Sequence, residues 1–242
     1  MDRLVIIPTY NEKENIEAII TAVMNLPLEY HVLVIDDGSP DGTASIVKTM
    51  MQGELCKDKL FIIERSGKQG LGTAYIAGFK WAIAHEYDYV FEMDADFSHN
   101  PQDLLKLYDA CANQGGDVAI GSRYVTGVNV VNWPMGRVLM SYFASKYVRF
   151  VLGVNIHDTT AGFVCYKRQV LEAIDLDHIR FKGYAFQIEM KFTAHQLGFV
   201  IKEVPIIFVN RVLGTSKMSG GIFSEALLGV IQLRISSWFK KK

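Results

Sequence analysis

Short apolar runs alternate with amphipathic segments along the first half of the chain. The runs are continuously apolar, which is typical of parallel strands covered on both faces of a sheet. They lie at residues 4–7, 32–35, 60–63, 89–93 and 118–121. The segments between them have helical periodicity and predict helices at residues 14–24, 43–51, 73–84 and 104–112. This order predicts an α/β fold with a doubly wound, mostly parallel sheet flanked by helices.

The second half contains a strongly apolar segment, residues 133–152, that polar residues interrupt at regular intervals. Arg137, Ser141, Ser145 and Arg149 are each four residues apart, so they form one polar stripe along a helix. Aromatic and basic residues in the same segment favour an amphipathic helix that binds at a membrane interface. An ordinary helix packed against the core is the alternative.

The other predicted elements are a strand at residues 163–166, a helix at 184–197, an extended segment at 199–209 and a final amphipathic helix at 222–239. Pro205 lies inside the extended segment and predicts an edge position or a bend. Residues 210–221 are polar and contain three glycines, which predicts a mobile loop.

Composition restricts the class of protein. The chain has 242 residues, of which 50% are hydrophobic, so we expect one globular domain with elaborations. The three cysteines are far apart and lack metal-ligand spacing, which favours a reducing compartment. Neither a signal peptide nor an apolar run of about 18 residues is found, so we expect a protein that is not secreted and has no transmembrane helix.

The net charge of −1 conceals two halves of opposite sign. Residues 1–121 carry 9 Lys and Arg and 19 Asp and Glu, whereas residues 122–242 carry 16 and 7. An acidic half and a basic half favour two tasks, binding a metal ion and binding anions, although charge bias often serves solubility alone.

Two acidic motifs follow predicted strands. Asp36-Asp37-Gly38-Ser39 comes after the second strand, and Asp94-Ala95-Asp96 comes after the fourth. Ligands of open α/β sheets bind at the carboxyl ends of strands. Carboxylates bind a phosphate-bearing ligand when a hard divalent cation lies between them. We therefore expect Mg²⁺ or Mn²⁺ here, while helix caps and turns are the structural alternative.

The segment after the first strand adds further candidates for this ligand. Tyr10 offers an aromatic face for a base, and Glu12 offers acceptor oxygens for ring or ribose donors.

Together the motifs resemble those of family 2 glycosyltransferases of the GT-A type, and within that family those of the dolichol-phosphate (polyprenol-phosphate) mannose synthases. The matching motifs, in chain order, are Pro8-Thr9-Tyr10-Asn11-Glu12, residues 36–43, Gly70-Leu71-Gly72-Thr73-Ala74, Asp94-Ala95-Asp96 with His99 and Pro101, Gly121-Ser122-Arg123-Tyr124, residues 158–163, and Arg211 with Gly214, Ser216, Lys217 and Met218. The resemblance implies a catalytic domain over residues 1–220, including the amphipathic segment 133–152 and an acceptor loop at 210–221. A C-terminal amphipathic helix and basic tail would occupy 221–242.

The resemblance also implies roles for individual residues. Those expected around the guanosine are Pro8, Tyr10, Glu12, Ile35 and Asp37. Those expected at the ribose, diphosphate and metal are Asp94, Ala95 and Asp96, with Asp94 and Asp96 as the metal ligands. Those expected at the acceptor phosphate and the transferring sugar are Arg123, Arg137 and Ser141, while Arg211 and Lys217 would close over the donor phosphates. Asp96, Arg123, Arg137 and Arg211 are the expected catalytic residues.

This chain departs from the family pattern at two positions. Ser98 stands where some members have a glutamine that ligates the metal, so water would take that ligand position. Ala161 replaces the usual serine before Gly162-Phe163.

The implied reaction transfers mannose from GDP-mannose to a polyprenyl or dolichyl phosphate. The acceptor is already an anion, so no general base is needed, and direct displacement would invert the anomeric centre. A lipid acceptor implies a peripheral enzyme on the cytoplasmic face of a membrane. Some family members use a membrane-anchoring partner subunit, and the sequence leaves that requirement open. No nucleic-acid partner is expected.

Two rival hypotheses remain. Transfer of glucose or another sugar from a UDP donor to the same lipid class is the nearer one. A non-catalytic nucleotide-binding membrane scaffold is the remote one, and the presence of both acidic motifs argues against it.

Overall fold

In the computed structural model, residues 2–211 and 222–239 are described. The strands of the first half are β1 (Arg3–Thr9), β2 (His31–Asp36), β3 (Leu60–Glu64), β4 (Tyr89–Glu92) and β5 (Val118–Ser122). The helices between them are α1 (Ile16–Met24), α2 (Thr43–Met50), α3 (Leu71–Ala84) and α4 (Asp103–Ala112). Every element predicted for this half is therefore present, with ends that differ by one or two residues.

The elements of the second half, in chain order, are β6 (Val130–Val131), α5 (Met135–Leu152), β7 (Val164–Lys167), α6 (Arg168–Ala173), a 3-10 helix (Leu176–His178), α7 (Tyr184–Gln196), β8 (Ile201–Pro205), β9 (Phe208–Val209) and α8 (Ile222–Phe239). The extended segment at 199–209 is interrupted after Pro205, as predicted, and forms two strands. The sequence analysis missed β6, α6 and the 3-10 helix, which are too short to show a periodicity.

Seven strands form the main sheet in the order β3-β2-β1-β4-β7-β5-β8. All neighbouring pairs are parallel except those of β7, which is antiparallel to both β4 and β5. The predicted doubly wound, mostly parallel sheet is thus confirmed. A separate parallel pair, β6 and β9, lies outside it.

Apolar cores cover both faces of the sheet, because successive strand side chains point to opposite sides. In β1, Leu4 and Ile6 belong to one core cluster, and Val5 and Ile7 belong to the other. The first cluster includes side chains of α3, α5, α7 and α8, and the second those of α1, α2 and α4. This burial on both faces explains why the strands are continuously apolar.

The last helix packs onto the body of the protein. Val230 and Leu233 join the first core cluster, and a side chain at Gly229 would collide with the Phe181 ring. Arg234 Nη1 donates to the Leu152 carbonyl oxygen at the end of α5. Within residues 2–211 and 222–239, none of the helices combines the length and apolar character that crossing a membrane requires.

Candidate active site

The carboxyl ends of β1, β2 and β4 bring the predicted site residues to one edge of the sheet. β1 lies between β2 and β4 and runs parallel to both. The segments that follow these strands therefore leave the sheet side by side. They contain Tyr10 and Glu12, the pair Asp36-Asp37, and the motif Asp94-Ala95-Asp96.

The two adjacent aspartates at the end of β2 have different hydrogen-bond partners. Asp36 accepts hydrogen bonds from Thr9 Oγ1 (2.8 Å), Ser39 Oγ (2.6 Å) and the Ser39 amide (2.9 Å), so it shapes the turn. Asp37 instead accepts Arg65 Nε at 2.6 Å, and Arg65 Nη2 lies 2.5 Å from the same oxygen. Asp36 thus has the turn role predicted for the motif, whereas Asp37, the candidate ligand contact, is buried and paired with Arg65.

Arg65 is a charged residue of this site that the sequence analysis missed. Besides Asp37, it contacts Thr73 in the first turn of α3, donating from Nη1 to Thr73 Oγ1 at 2.8 Å. Its position in the sequence could have identified it, because Arg65 directly follows β3, a strand that ends at the same edge of the sheet as β2. Arg65 therefore places a guanidinium beside the predicted base-binding carboxylate.

The turn after β1 contains two further base-binding candidates, Tyr10 and Glu12. The Lys68 ammonium lies 5.5 Å from the centre of the Tyr10 ring. Glu12 is nearly buried, and its Oε2 accepts a hydrogen bond from Asn15 Nδ2 at 3.2 Å. The Glu12 amide also donates to Thr43 Oγ1 at the start of α2. The bond to Thr43 holds the turn after β1 against the start of α2.

Two other predicted nucleotide contacts lie inside β1 and β2. Pro8 is half-buried and pairs with Ile35 across the two strands. The side chain of Ile35 is fully buried in the core, so it does not reach the surface of the sheet edge. A contact between Ile35 and a nucleotide can therefore involve its main chain only.

The second acidic motif is organised around Asp96. Its Oδ1 accepts the Ser98 amide at 3.0 Å and also the Ser98 hydroxyl. Its Oδ2 lies 2.7 Å from Arg211 Nη2. Ala95 is buried in the core between the two aspartates. Ser98 thus orients Asp96 by hydrogen bonds.

The charge on this motif suits a cation. Burial and the neighbouring charge of Asp96 raise the pKa of Asp94 to about 7, although Arg211 opposes this rise. Excess negative charge is what a divalent ion would neutralise. Among the described residues, however, no group of three or more Asp, Glu, His or Cys side chains could hold a metal. Asp94 and Asp96 would therefore need oxygen ligands from a diphosphate or water, as is usual for Mg²⁺.

Arg123 is held by a carboxylate from a distant part of the chain. Its Nε and Nη2 donate to the two oxygens of Asp158 at 2.7 Å and 2.6 Å, and Nη2 also donates to Thr160 Oγ1. Burial would raise the pKa of Asp158, but the charge and hydrogen bonds of Arg123 bring that pKa below its usual value. The predicted role of Arg123 at a phosphate must therefore coexist with this bidentate ion pair.

A buried lysine, also missed from the sequence, supports the loop that carries Asp158. Lys191 on α7 is 1% exposed, and its ammonium donates to the carbonyl oxygens of Thr159 and Ala161. It also donates to Gln187, whose Nε2 donates to Glu92 on β4. Burial lowers the pKa of Lys191 to about 8 and raises that of Glu92 to about 8. This network ties the Arg123 clamp to the strand that leads to Asp94.

Arg137 lies against an aromatic ring at the start of α5. Its guanidinium carbon is 3.9 Å from the centre of the Trp133 ring. Its Nη1 donates to Asn210 Oδ1 at 3.2 Å, and Asn210 is the residue before Arg211. Ser141, one turn after Arg137, is half-buried. Arg137 and Ser141 therefore share one face of α5.

The orientation of α5 is the reverse of that of an ordinary surface helix. Its polar stripe turns towards the protein, since Ser145 is 1% exposed and Arg137 and Arg149 are half-buried. Its large apolar side chains face outwards: Met135, Leu139, Met140, Phe143 and Phe150 are 46–89% exposed. An exposed apolar surface of this kind marks an interaction site. Val148 and Leu152 of the same helix are buried in the first core cluster, so α5 has both an exposed apolar face and a face packed on the core.

His99 is buried behind the acidic motif. Its ring stacks on Phe163, with centres 4.8 Å apart, and meets Phe208 edge to face. Burial lowers the pKa of His99 to about 4, although Asp96 opposes the shift. The imidazole is therefore neutral at pH 7 and packs as an aromatic ring.

Lys217 and the rest of residues 212–221, where the mobile loop was predicted, lie outside the described residues.

The structure brings together eight of the predicted site residues at the carboxyl edge of the sheet and beside it. They are Tyr10, Glu12, Asp37, Asp94, Asp96, Arg123, Arg137 and Arg211.

Comparison with solved structures supports the fold. The chain is similar to glucosyl-3-phosphoglycerate synthase from Mycobacterium tuberculosis in complex with Mn²⁺, UDP and glucosyl-3-phosphoglycerate, with a TM-score of 0.69 and 19% identity. The likeness covers 98% of this chain and 79% of that one. The predicted GT-A architecture is confirmed at the level of the fold.

Sequence comparison identifies nearer relatives. The chain is 48% identical over 229 residues to polyprenol monophosphomannose synthase of Mycolicibacterium smegmatis, covering 95% of this chain and 85% of the relative. It is 47% identical over 227 residues to undecaprenyl-phosphate mannosyltransferase of Micrococcus luteus, covering 94% and 91%. The model of glycosyl transferase family 2 matches residues 4–175. This chain therefore belongs to glycosyl transferase family 2.

Proposed function

We propose that this protein transfers mannose from GDP-mannose to a polyprenyl phosphate, of the undecaprenyl or dolichyl type, with inversion at the anomeric carbon. The product would be a polyprenyl phosphate β-mannose. The relatives from Mycolicibacterium smegmatis and Micrococcus luteus, at 48% and 47% identity, support the sugar and the acceptor class.

One structural observation carries the proposal. Asn210 and Arg211 are consecutive, and they contact Arg137 on α5 and Asp96 after β4, respectively. The arginine proposed for the acceptor phosphate and the carboxylate proposed for the metal are therefore joined through two adjacent residues. Group transfer between a nucleotide sugar and a lipid phosphate requires this proximity of the two halves of the site.

On the donor side, the base would bind among Tyr10, Glu12 and Asp37. Arg65, which pairs with Asp37, would contact the same nucleotide. Asp94 and Asp96 would hold Mg²⁺ or Mn²⁺, and the bound ion would act as a Lewis acid on the departing diphosphate. Arg211, with Lys217 from residues 212–221, would add positive charge to that leaving group.

On the acceptor side, the chemistry requires alignment and no general base. A phosphate monoester oxygen, already anionic at neutral pH, would form a bond to the anomeric carbon while the bond from that carbon to the β-phosphate oxygen breaks. GDP leaves with the electron pair. Arg137 would orient the acceptor oxygen, and Arg123, fixed by Asp158, would add charge beside it.

The outward apolar face of α5 would dock on the lipid surface from which the acceptor comes. Met135, Leu139 and Phe143 lie on one side of the helix, and Lys146 lies near them with its ammonium 4.7 Å from the Tyr142 ring centre. Apolar side chains next to a cation suit an interface with anionic lipids. We propose a location at the cytoplasmic face of a membrane.

In this proposal, residues 1–220 form the catalytic domain and residues 221–242 the C-terminal helix and tail. α8 would be an attached element of that domain, since Val230 and Leu233 enter its core. The exposed side chains of Leu228, Ile231 and Ile235 on α8 offer a surface for a membrane-anchoring partner subunit.

A donor and acceptor matrix tests the proposal. The purified full chain is given radiolabelled GDP-mannose or UDP-glucose with short or long polyprenyl phosphates and Mg²⁺ or Mn²⁺. Labelled lipid from GDP-mannose alone supports the proposal. Labelled lipid from UDP-glucose alone would assign the UDP-sugar alternative, and nucleotide binding without any lipid product would favour a non-catalytic scaffold.

A further inference from the structure

The indole of Trp133 lies where the two acceptor-side arginines meet. The guanidinium carbon of Arg137 is 3.9 Å from the centre of the ring, and that of Arg123 is 5.5 Å away. The ring itself rests edge to face against Phe208, with centres 5.2 Å apart. One aromatic side chain thus contacts both cations that the proposed function assigns to the lipid phosphate.

The polar atom of this side chain lacks an acceptor. Trp133 Nε1 is shielded from solvent and has no hydrogen-bond partner among the described residues. An indole nitrogen can only donate, so a shielded N–H without an acceptor destabilises the protein. The charged groups at the ring are guanidiniums, which cannot accept a hydrogen bond.

The surrounding chain is also poor in acceptors with negative charge. Between Asp117 and Asp158 there is no Asp or Glu, whereas Arg123, Arg137, Lys146 and Arg149 are cationic. Asp158 itself gives both oxygens to Arg123. An anion from outside the protein would satisfy the indole N–H and the guanidiniums at the same time.

We propose that Trp133 binds the acceptor, with its Nε1–H donating to a phosphate oxygen of the polyprenyl phosphate while its ring face holds Arg137 in place. This inference rests on the proposed function, because it assumes a lipid phosphate as the anion. It assigns a donor to the acceptor phosphate in addition to the arginines, and it makes Trp133 the residue that couples their positions.

Two substitutions separate the N–H from the ring. Trp133→Phe keeps an aromatic face for Arg137 but removes the donor, and Trp133→Leu removes both. Trp81→Phe is the matched control, because Trp81 on α3 stacks on His85 outside the site. Farnesyl phosphate is the binding probe, and GDP titration reports the donor side.

We expect Trp133→Phe to raise the KM for the lipid phosphate about tenfold, the effect of losing one hydrogen bond to a charged group. Trp133→Leu should raise it further, and Trp81→Phe should leave it unchanged. The dissociation constant for GDP should stay the same in all three variants. A structural role alone would not move the acceptor KM separately from GDP affinity.

Indole fluorescence gives a second readout that needs no unstable variant. In the folded protein with Trp81→Phe and Trp238→Phe, Trp133 is the one indole left in the sequence, so emission should change on addition of farnesyl phosphate. A saturating titration without a change overturns the proposal, as does wild-type affinity for farnesyl phosphate in folded Trp133→Phe.

Farnesyl phosphate binding and mannosyl transfer, measured on the same variants, distinguish failure of the Trp133 site from failure of the proposed function. Binding of farnesyl phosphate that depends on Trp133, without mannosyl transfer, would keep this site and reject the proposed function. Mannosyl transfer with no effect of the Trp133 substitutions would keep the function and reject this site. Absence of both binding and transfer would overturn both.

Discussion

Arg211 Nη2 lies 2.7 Å from Asp96 Oδ2, so a guanidinium pairs with the carboxylate that is the firmest candidate for a metal ligand. The other oxygen of Asp96 is held by Ser98. A divalent ion and Arg211 would therefore act on the same small group of carboxylate oxygens. Under the proposed function, the charge at position 211 would therefore affect both metal binding and leaving-group stabilisation.

Arg211→Ala should have opposite effects on these two properties. Without a neighbouring cation, Asp94 and Asp96 should bind Mn²⁺ about three- to tenfold more tightly in the absence of nucleotide. Turnover should nevertheless fall about 10²-fold, because the departing diphosphate loses a positive contact. Calorimetric Mn²⁺ titration and initial rates measure the two effects. Arg168→Ala, which breaks an ion pair with Asp88, is the control. Unchanged Mn²⁺ affinity in Arg211→Ala would show that Arg211 does not compete with the metal ion for these carboxylates.

Asp96→Ala should reduce metal-dependent turnover by about 10²-fold or more, since it removes a preorganised contact to the diphosphate through the ion. Asp88→Ala is a matched control, because Asp88 immediately precedes β4 whereas Asp96 follows it, and Asp88 bonds Arg168. Rates are measured across a range of Mg²⁺ and Mn²⁺ concentrations. Normal turnover of Asp96→Ala at ordinary metal concentrations would remove Asp96 from the metal site.

Arg137→Ala should weaken use of polyprenyl phosphate while GDP affinity stays near the wild-type value. Arg137→Lys should restore activity only in part, because lysine keeps the charge but loses the planar fork. Arg149→Ala is the control, because it removes the same charge from the same helix. Arg149 donates to Asn155, so its loss should have little effect on use of the lipid phosphate. Acceptor kinetics are measured beside GDP titration. Loss of GDP binding with normal lipid kinetics would show that Arg137 serves the donor.

Leu139→Glu should reduce binding of the protein to anionic phospholipid vesicles several-fold, because it places a negative charge on the outward face of α5. Leu197→Glu is matched in exposure, with 49% against 48% for Leu139, and lies after α7. Vesicle co-sedimentation measures binding, and thermal unfolding checks that both variants stay folded. Equal loss of binding in both variants would mean that charge alone, and not the α5 face, controls association.

The sequence analysis did not predict how the buried polar groups pair with one another. Asp158 lies 35 residues after Arg123, and Arg65 lies 28 residues after Asp37, yet each pair forms a short ion pair. The intervening residues carry no pattern that reports such contacts. The partners of buried polar groups depend on which chain segments fold together, and one sequence without structure does not specify them.

Local pattern by itself determined the first five strands, the first four helices and the carboxylate motifs at two strand ends, because strand and helix periodicities are properties of neighbouring residues. The polar stripe of α5 was also visible in the spacing of Arg137, Ser141 and Ser145. Only the tertiary structure decided that this stripe turns inwards and that β7 inserts antiparallel between β4 and β5. Those choices depend on the free energy of packing distant segments, which periodicity does not contain.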